Sequence, residues 1–116
     1  MCHVLVIEDD FLVAFYLQML LEENGATSVE IADTEANAIR AAATRTPAVI
    51  TSDVSLAEGT GPAAVQAIHQ EHGFIPVIFI TARPETVPRS GLIAPVFGKP
   101  VDATAVAEAF RTLCPR

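Results

Sequence analysis

The chain has 116 residues, 51% of them hydrophobic and 18% charged, which suits one packed domain over residues 1–116 and leaves little scope for disorder. A net charge of −7, with Lys and Arg scattered singly, argues against a nucleic-acid binder, because phosphate contacts need clustered cations. The most apolar stretch, Phe11 to Leu21, contains Gln18 and is shorter than the about 20 residues that cross a bilayer. No leader pattern precedes Glu8, so the expectation is a soluble cytoplasmic protein with no membrane partner. Met1 and a tight C-terminus point to a free-standing chain. Cys2 and Cys114 lack metal-type spacing; a bridge between the two ends is the poorly motivated alternative, and free thiols in a reducing compartment are expected.

Short apolar runs alternate with helical stretches along the whole length. His3 to Ile7 reads as a buried strand, followed by a helix from about Asp10 to Asn24 that Gly25 ends. Ser28 to Ala32 is a second strand, and Asp33 or Thr34 can cap a helix running through Ala43. Ala48 to Ser52 is the third strand. A loop with Gly59 and Gly61 then leads to a helix that Pro62 opens and that runs to about His72. Pro76 to Ile80 is the fourth strand, Pro95 to Phe97 a short fifth, and a last helix covers about Asp102 or Ala103 to Leu113. Such alternation predicts an α/β fold with parallel strands, right-handed crossovers and helices on both faces. In open sheets of this kind the site lies beyond the carboxyl ends of the strands, where strand order reverses.

Those strand ends carry chemistry. Glu8, Asp9 and Asp10 follow the first strand, Asp53 the third, Thr81 the fourth, and Lys99-Pro100 the fifth. Singly each has a plain explanation: Asp10 can cap a helix, Thr81 can be a loop hydroxyl and Lys99 a solvated charge. Together, converging carboxylates repel one another unless a cation intervenes. Carboxylates, a backbone carbonyl and waters suit Mg²⁺, which also binds phosphate. A carboxylate can attack a phosphoryl group, and the metal with a nearby ammonium offsets charge on the equatorial oxygens.

The pattern Val4-Leu-Val-Ile-Glu-Asp-Asp10, then Asp53-Val-Ser-Leu56-x-x-Gly59, then Ile78-Phe-Ile-Thr81-Ala82, then Lys99-Pro100 resembles the response-regulator receiver domain over essentially the whole chain. The resemblance implies a flavodoxin-like, doubly wound sheet of five parallel strands in the order 2-1-3-4-5. It implies Asp53 as phosphoacceptor, with Thr81 as switch hydroxyl and Lys99 as phosphate-binding base, in a Lys-Pro pair often held cis. Asp9 is then a direct Mg²⁺ ligand and Glu8 a ligand directly or through water, with Asp53 and the Ser55 backbone carbonyl completing the protein donors. The implied partner is a histidine kinase or histidine phosphotransfer protein, with output through contacts to a further protein. The rival reading is a pseudo-receiver that binds partners without phosphorylation.

Family members usually carry an aromatic residue three positions before the lysine, where this chain has Val96, with Phe97 next. Pro84, Pro88 and Gly91 disfavour a regular fourth helix, so residues 84–91 are expected as a loop or a single helical turn. Arg83 occupies a position where it either reaches the phosphate or lies solvated. On the first helix, Val13, Leu17, Leu20, Leu21 and Asn24 share the expected core side. Phe11, Phe15 and Met19 repeat on the opposite side, flanked by Leu12, and are read as a docking surface for the phosphodonor. His69 and His72 have no carboxylate or cysteine companions and are not metal ligands on this reading.

Overall fold

The computed structural model describes residues 2–86 and 94–115. Five parallel strands form one sheet in the order β2-β1-β3-β4-β5. They are β1 His3–Ile7, β2 Ser28–Ala32, β3 Val49–Ser52, β4 Val77–Thr81 and β5 Val96–Gly98. The connecting helices are α1 Phe11–Glu23, α2 Glu35–Thr44, α3 Gly61–His72 and α4 Ala103–Leu113. The strand order and the doubly wound layout match the expectation from sequence.

The helices begin where side chains can satisfy their free amides. Asp10 accepts from the Leu12 and Val13 amides, Thr34 from Asn37, Thr60 from Ala63 and Asp102 from Ala105. Each such cap is worth about 1 kcal/mol. Gly73 ends α3 at φ 82°, a left-handed geometry that favours glycine. Next to it His69 Nε2 lies 2.8 Å from the Ile75 carbonyl, and its ring packs on Phe74, so this histidine closes a turn.

Two cores sandwich the sheet. On one face α2 and α3 deliver Ala38, Ala41, Ala42, Ala64, Val65 and Ile68 against Leu5, Ile7, Ile50 and Phe79. On the other, α1 and α4 deliver Ala14, Leu17, Leu21, Val106 and Phe110 against Val4, Val6, Val49, Ile78 and Ile80. Because β1, β3 and β4 are covered on both sides, they are apolar almost without interruption. Each large side chain so buried contributes about 1.5–3 kcal/mol. Among the polar side chains buried in these strands, the Thr51 hydroxyl has no hydrogen-bond partner among the described residues.

Two expectations change. Cys2 and Cys114 are paired as a disulfide with Cα atoms 5.9 Å apart, not free thiols. The physical reason lies in the topology: α4 runs back against the strand direction, so its C-terminal end returns to the edge where β1 begins. The core side of α1 also shifts by one position. Ala14 is buried with Leu17 and Leu21, while Val13, Leu20 and Asn24 are half-buried. As expected, Pro84–Thr86 forms only a 3-10 turn, and the remainder of the expected irregular stretch, from 87 on, lies outside the described residues.

Candidate functional site

Strand register brings the sequence-predicted residues to one rim. Ile7 pairs with Ser52, so Glu8 and Asp53 leave adjacent strands at the same level. Ser52 pairs with Phe79, and Thr81 pairs with Gly98, so β4 and β5 place Thr81 and Lys99 on the same side. The Glu8 amide donates to Ala32 O and the Asp53 amide to Ile7 O, both at 2.9 Å, extending the sheet one step under the site. The Lys99-Pro100 bond is cis.

The electrostatic centre is the Lys99 ammonium. Its Nζ lies 2.9 Å from Glu8 Oε1 and 2.9 Å from Asp53 Oδ2. Both acids are buried, whereas Asp9 beside them is exposed. Burial, foremost, pushes the Glu8 carboxyl above the ordinary glutamate range, and the hydrogen bond from Lys99 works against that shift. Burial also works against the Lys99 charge, but hydrogen bonds to Asp53 and then Glu8 outweigh it and raise its pKa. Lys99 is thus held as a cation between two carboxylates.

Backbone contacts orient the remaining atoms. Asp53 Oδ1 accepts from the Val54 amide at 2.7 Å, while Oδ2 faces Lys99. Glu8 Oε2 accepts from the Asp10 amide at 3.1 Å. The Ser52 hydroxyl donates to the Asp53 carbonyl at 2.8 Å, and a Cβ at Gly61 would collide with that same carbonyl. Glycine there lets the N-terminal end of α3 pack directly beneath the aspartate. Thr81 is buried, and its hydroxyl accepts from the Arg83 amide at 3.3 Å, leaving its own hydrogen to donate. Arg83 lies outward, 3.7 Å from exposed Glu85.

Glu8, Asp9 and Asp53 each offer an oxygen within 4.8 Å of the others. Three carboxylates this close fit a hard divalent cation such as Mg²⁺, which takes oxygen ligands and keeps several waters, so one of the three can bind through water. Ser55, whose carbonyl was expected to join them, lies on the β3–α3 loop, where it is bridged to Thr60.

On α1, Phe11, Phe15 and Met19 are 71%, 56% and 60% exposed, as the sequence suggested. Leu12 and Tyr16 widen the stripe at 81% and 45%. Tyr16 was not singled out from sequence, because a tyrosine beside Leu17 reads equally well as an edge of the core.

Comparison with known proteins identifies the family. Residues 4–94 match the response regulator receiver domain family. Over 84 residues, 71% of this chain and 31% of the relative, the sequence is 38% identical to the phyllosphere-induced regulator PhyR of Methylorubrum extorquens. The solution structure of the PhyR receiver domain from Erythrobacter litoralis superposes with a TM-score of 0.84 at 30% identity, covering 97% of this chain and 88% of that one. The anti-anti-sigma factor PhyR of Bartonella quintana superposes at 0.80 with 33% identity, covering 97% and 47%. The chain therefore spans less than half of the Methylorubrum and Bartonella proteins. It belongs to the response regulator receiver domain family.

Proposed function

We propose that this receiver domain accepts a phosphoryl group on Asp53 from a histidine kinase or a histidine phosphotransfer protein, and then signals through protein contacts. One observation carries the reading: a buried aspartate and glutamate are held by one lysine ammonium, with a third carboxylate in reach. In this scheme an Asp53 carboxylate oxygen attacks phosphorus, the N–P bond of the donor phosphohistidine breaks, and its electron pair returns to the imidazole. Lys99, already 2.9 Å from Asp53 Oδ2, offsets negative charge on the phosphoryl oxygens, and the buried Thr81 hydroxyl donates to one of them. Glu8, Asp9, Asp53 and the Ser55 carbonyl would hold Mg²⁺, which supplies charge neutralisation and orientation of the phosphoryl oxygens.

The chain acts on this reading as a signalling module that catalyses only its own phosphorylation and dephosphorylation. The exposed Phe11, Phe15 and Met19 face beside the site receives the phosphodonor protein. The Bartonella relative's description as an anti-anti-sigma factor supports output by protein binding. No described helix is long and apolar enough to cross a membrane, and the reading places the domain in the cytoplasm.

The test locates the phosphoryl group chemically. After phosphotransfer, borohydride converts an aspartyl phosphate to homoserine, and peptide mass spectrometry should find homoserine at position 53 alone. A modified residue elsewhere, or a phosphohistidine, would overturn the assignment.

A further inference from the structure

The loop joining β3 to α3 folds back on itself. Ser55 bridges Thr60, the Leu56 amide donates to the Gly59 carbonyl at 3.4 Å, and the Gly61 amide donates to Val54 O at 2.8 Å. Val54 and Leu56 rest on the core beneath. The tip is gripped from a different element. Glu35, the first residue of α2, donates its amide to Glu58 O at 3.1 Å, and its Oε1 accepts from the Thr60 amide at 3.2 Å. These two bonds straddle Gly59, whose φ is 81° and where any Cβ would collide with the Glu35 side chain. A bare glycine packed against Glu35, whose carboxylate holds Thr60 and whose backbone amide holds Glu58, is a latch on this loop.

We infer that Glu35 is a positioning residue for the phosphorylation site, holding the loop so that the Ser55 carbonyl is set for the divalent cation. The inference rests on the proposed function, since Ser55 is assigned as a donor only there. Among the described residues Glu35 bonds to Glu58 and Thr60 and not to Asp53 or Lys99, so it acts through the loop. It also sits in the first turn of α2, where a negative charge favours the helix by itself. Two substitutions separate the roles. Glu35→Asp keeps the charge but withdraws the carboxylate from Thr60, whereas Glu35→Gln removes the charge and keeps an oxygen at the same reach.

The experiment is calorimetric titration of Mg²⁺ into wild type, Glu35→Asp and Glu35→Gln, with amide hydrogen exchange of Thr60 followed in the metal-free proteins. A latch predicts about tenfold weaker Mg²⁺ binding and faster Thr60 exchange in Glu35→Asp, and near wild-type behaviour in Glu35→Gln. A role in helix charge alone predicts the reverse order and overturns the inference, as does equal Mg²⁺ affinity in all three. Should Glu35→Asp fold poorly, Gly59→Ala pushes the loop off the same carboxylate and should give the same loss. If wild type itself binds no Mg²⁺, the proposed function fails and the inference with it. If wild type binds and neither Glu35→Asp nor Gly59→Ala weakens binding, the inference alone fails.

Discussion

Replacing Lys99 by methionine keeps the apolar stem and deletes the charge that two buried carboxylates share. At an effective dielectric of about 20, each 2.9 Å ion pair carries a gross attraction of about 6 kcal/mol. Desolvation of the three groups cancels much of this, so the gross figure is not the expected loss. Breaking a buried pair while leaving a charge behind costs about 3–5 kcal/mol. The Lys99 and Asp53 side chains retain 18% and 11% exposure, which places the expectation at the lower end, about 3 kcal/mol. For a chain of this length that corresponds to a melting temperature lower by about 12 °C. Urea unfolding of metal-free protein, followed by circular dichroism, measures it directly. Added Mg²⁺ should recover more stability in Lys99→Met than in wild type, because it restores a cation between the same carboxylates. A loss below about 1 kcal/mol in metal-free protein would show that Lys99 does not hold Glu8 and Asp53 together, and the electrostatic account of the site would fall.

Three further outcomes follow from other parts of the molecule. Thr51→Val removes a buried hydroxyl without a partner at nearly constant shape, so it should leave stability unchanged or raise it by about 1 kcal/mol in denaturant titration; a loss beyond 1 kcal/mol would reveal a bond the hydroxyl makes. His3 is buried beside Ser28, and burial, then the Arg45 charge, lower its pKa below the ordinary 6.5. The unfolded chain therefore binds a proton that the folded one resists, and stability should fall as pH drops from about 6.5 toward the lower folded value. Urea midpoints for His3→Gln should lose that part of the pH slope, and an unaltered slope would acquit His3. Phe15→Asp lies on an exposed position and should shift stability by less than about 0.5 kcal/mol. It should slow phosphotransfer from a partner protein while sparing phosphorylation by a small phosphodonor, and equal slowing of both would contradict docking on α1.

Much of this arrangement is legible in the sequence for definite reasons. β1, β3 and β4 are fully covered parallel strands, so their largely apolar runs stand out, and the acids that follow β1 and β3 and the hydroxyl that ends β4 mark the rim. Asp10, Thr34 and Asp102 are capping residues at the starts of helices, and their spacing to the next amides is local. What sequence could not show depends on distant parts meeting. Cys2 and Cys114 are separated by 112 positions and pair because α4 returns to the start of β1. Glu35 reads as an ordinary acid in a helical first turn, and only the packing of α2 beside the β3–α3 loop shows it gripping Thr60. On α1 Ala14 is fully buried while Val13 is half-buried, a turn of the core side that periodicity alone does not show.

Intact mass after incubation with acetyl phosphate tests the central claim most directly, comparing wild type with Asp53→Asn in the presence and absence of Mg²⁺. The account predicts the gain of one phosphoryl group in wild type only when Mg²⁺ is present, and no gain in Asp53→Asn. A wild-type protein that binds Mg²⁺ and stays unmodified, or an Asp53→Asn protein that gains the same mass, would contradict it.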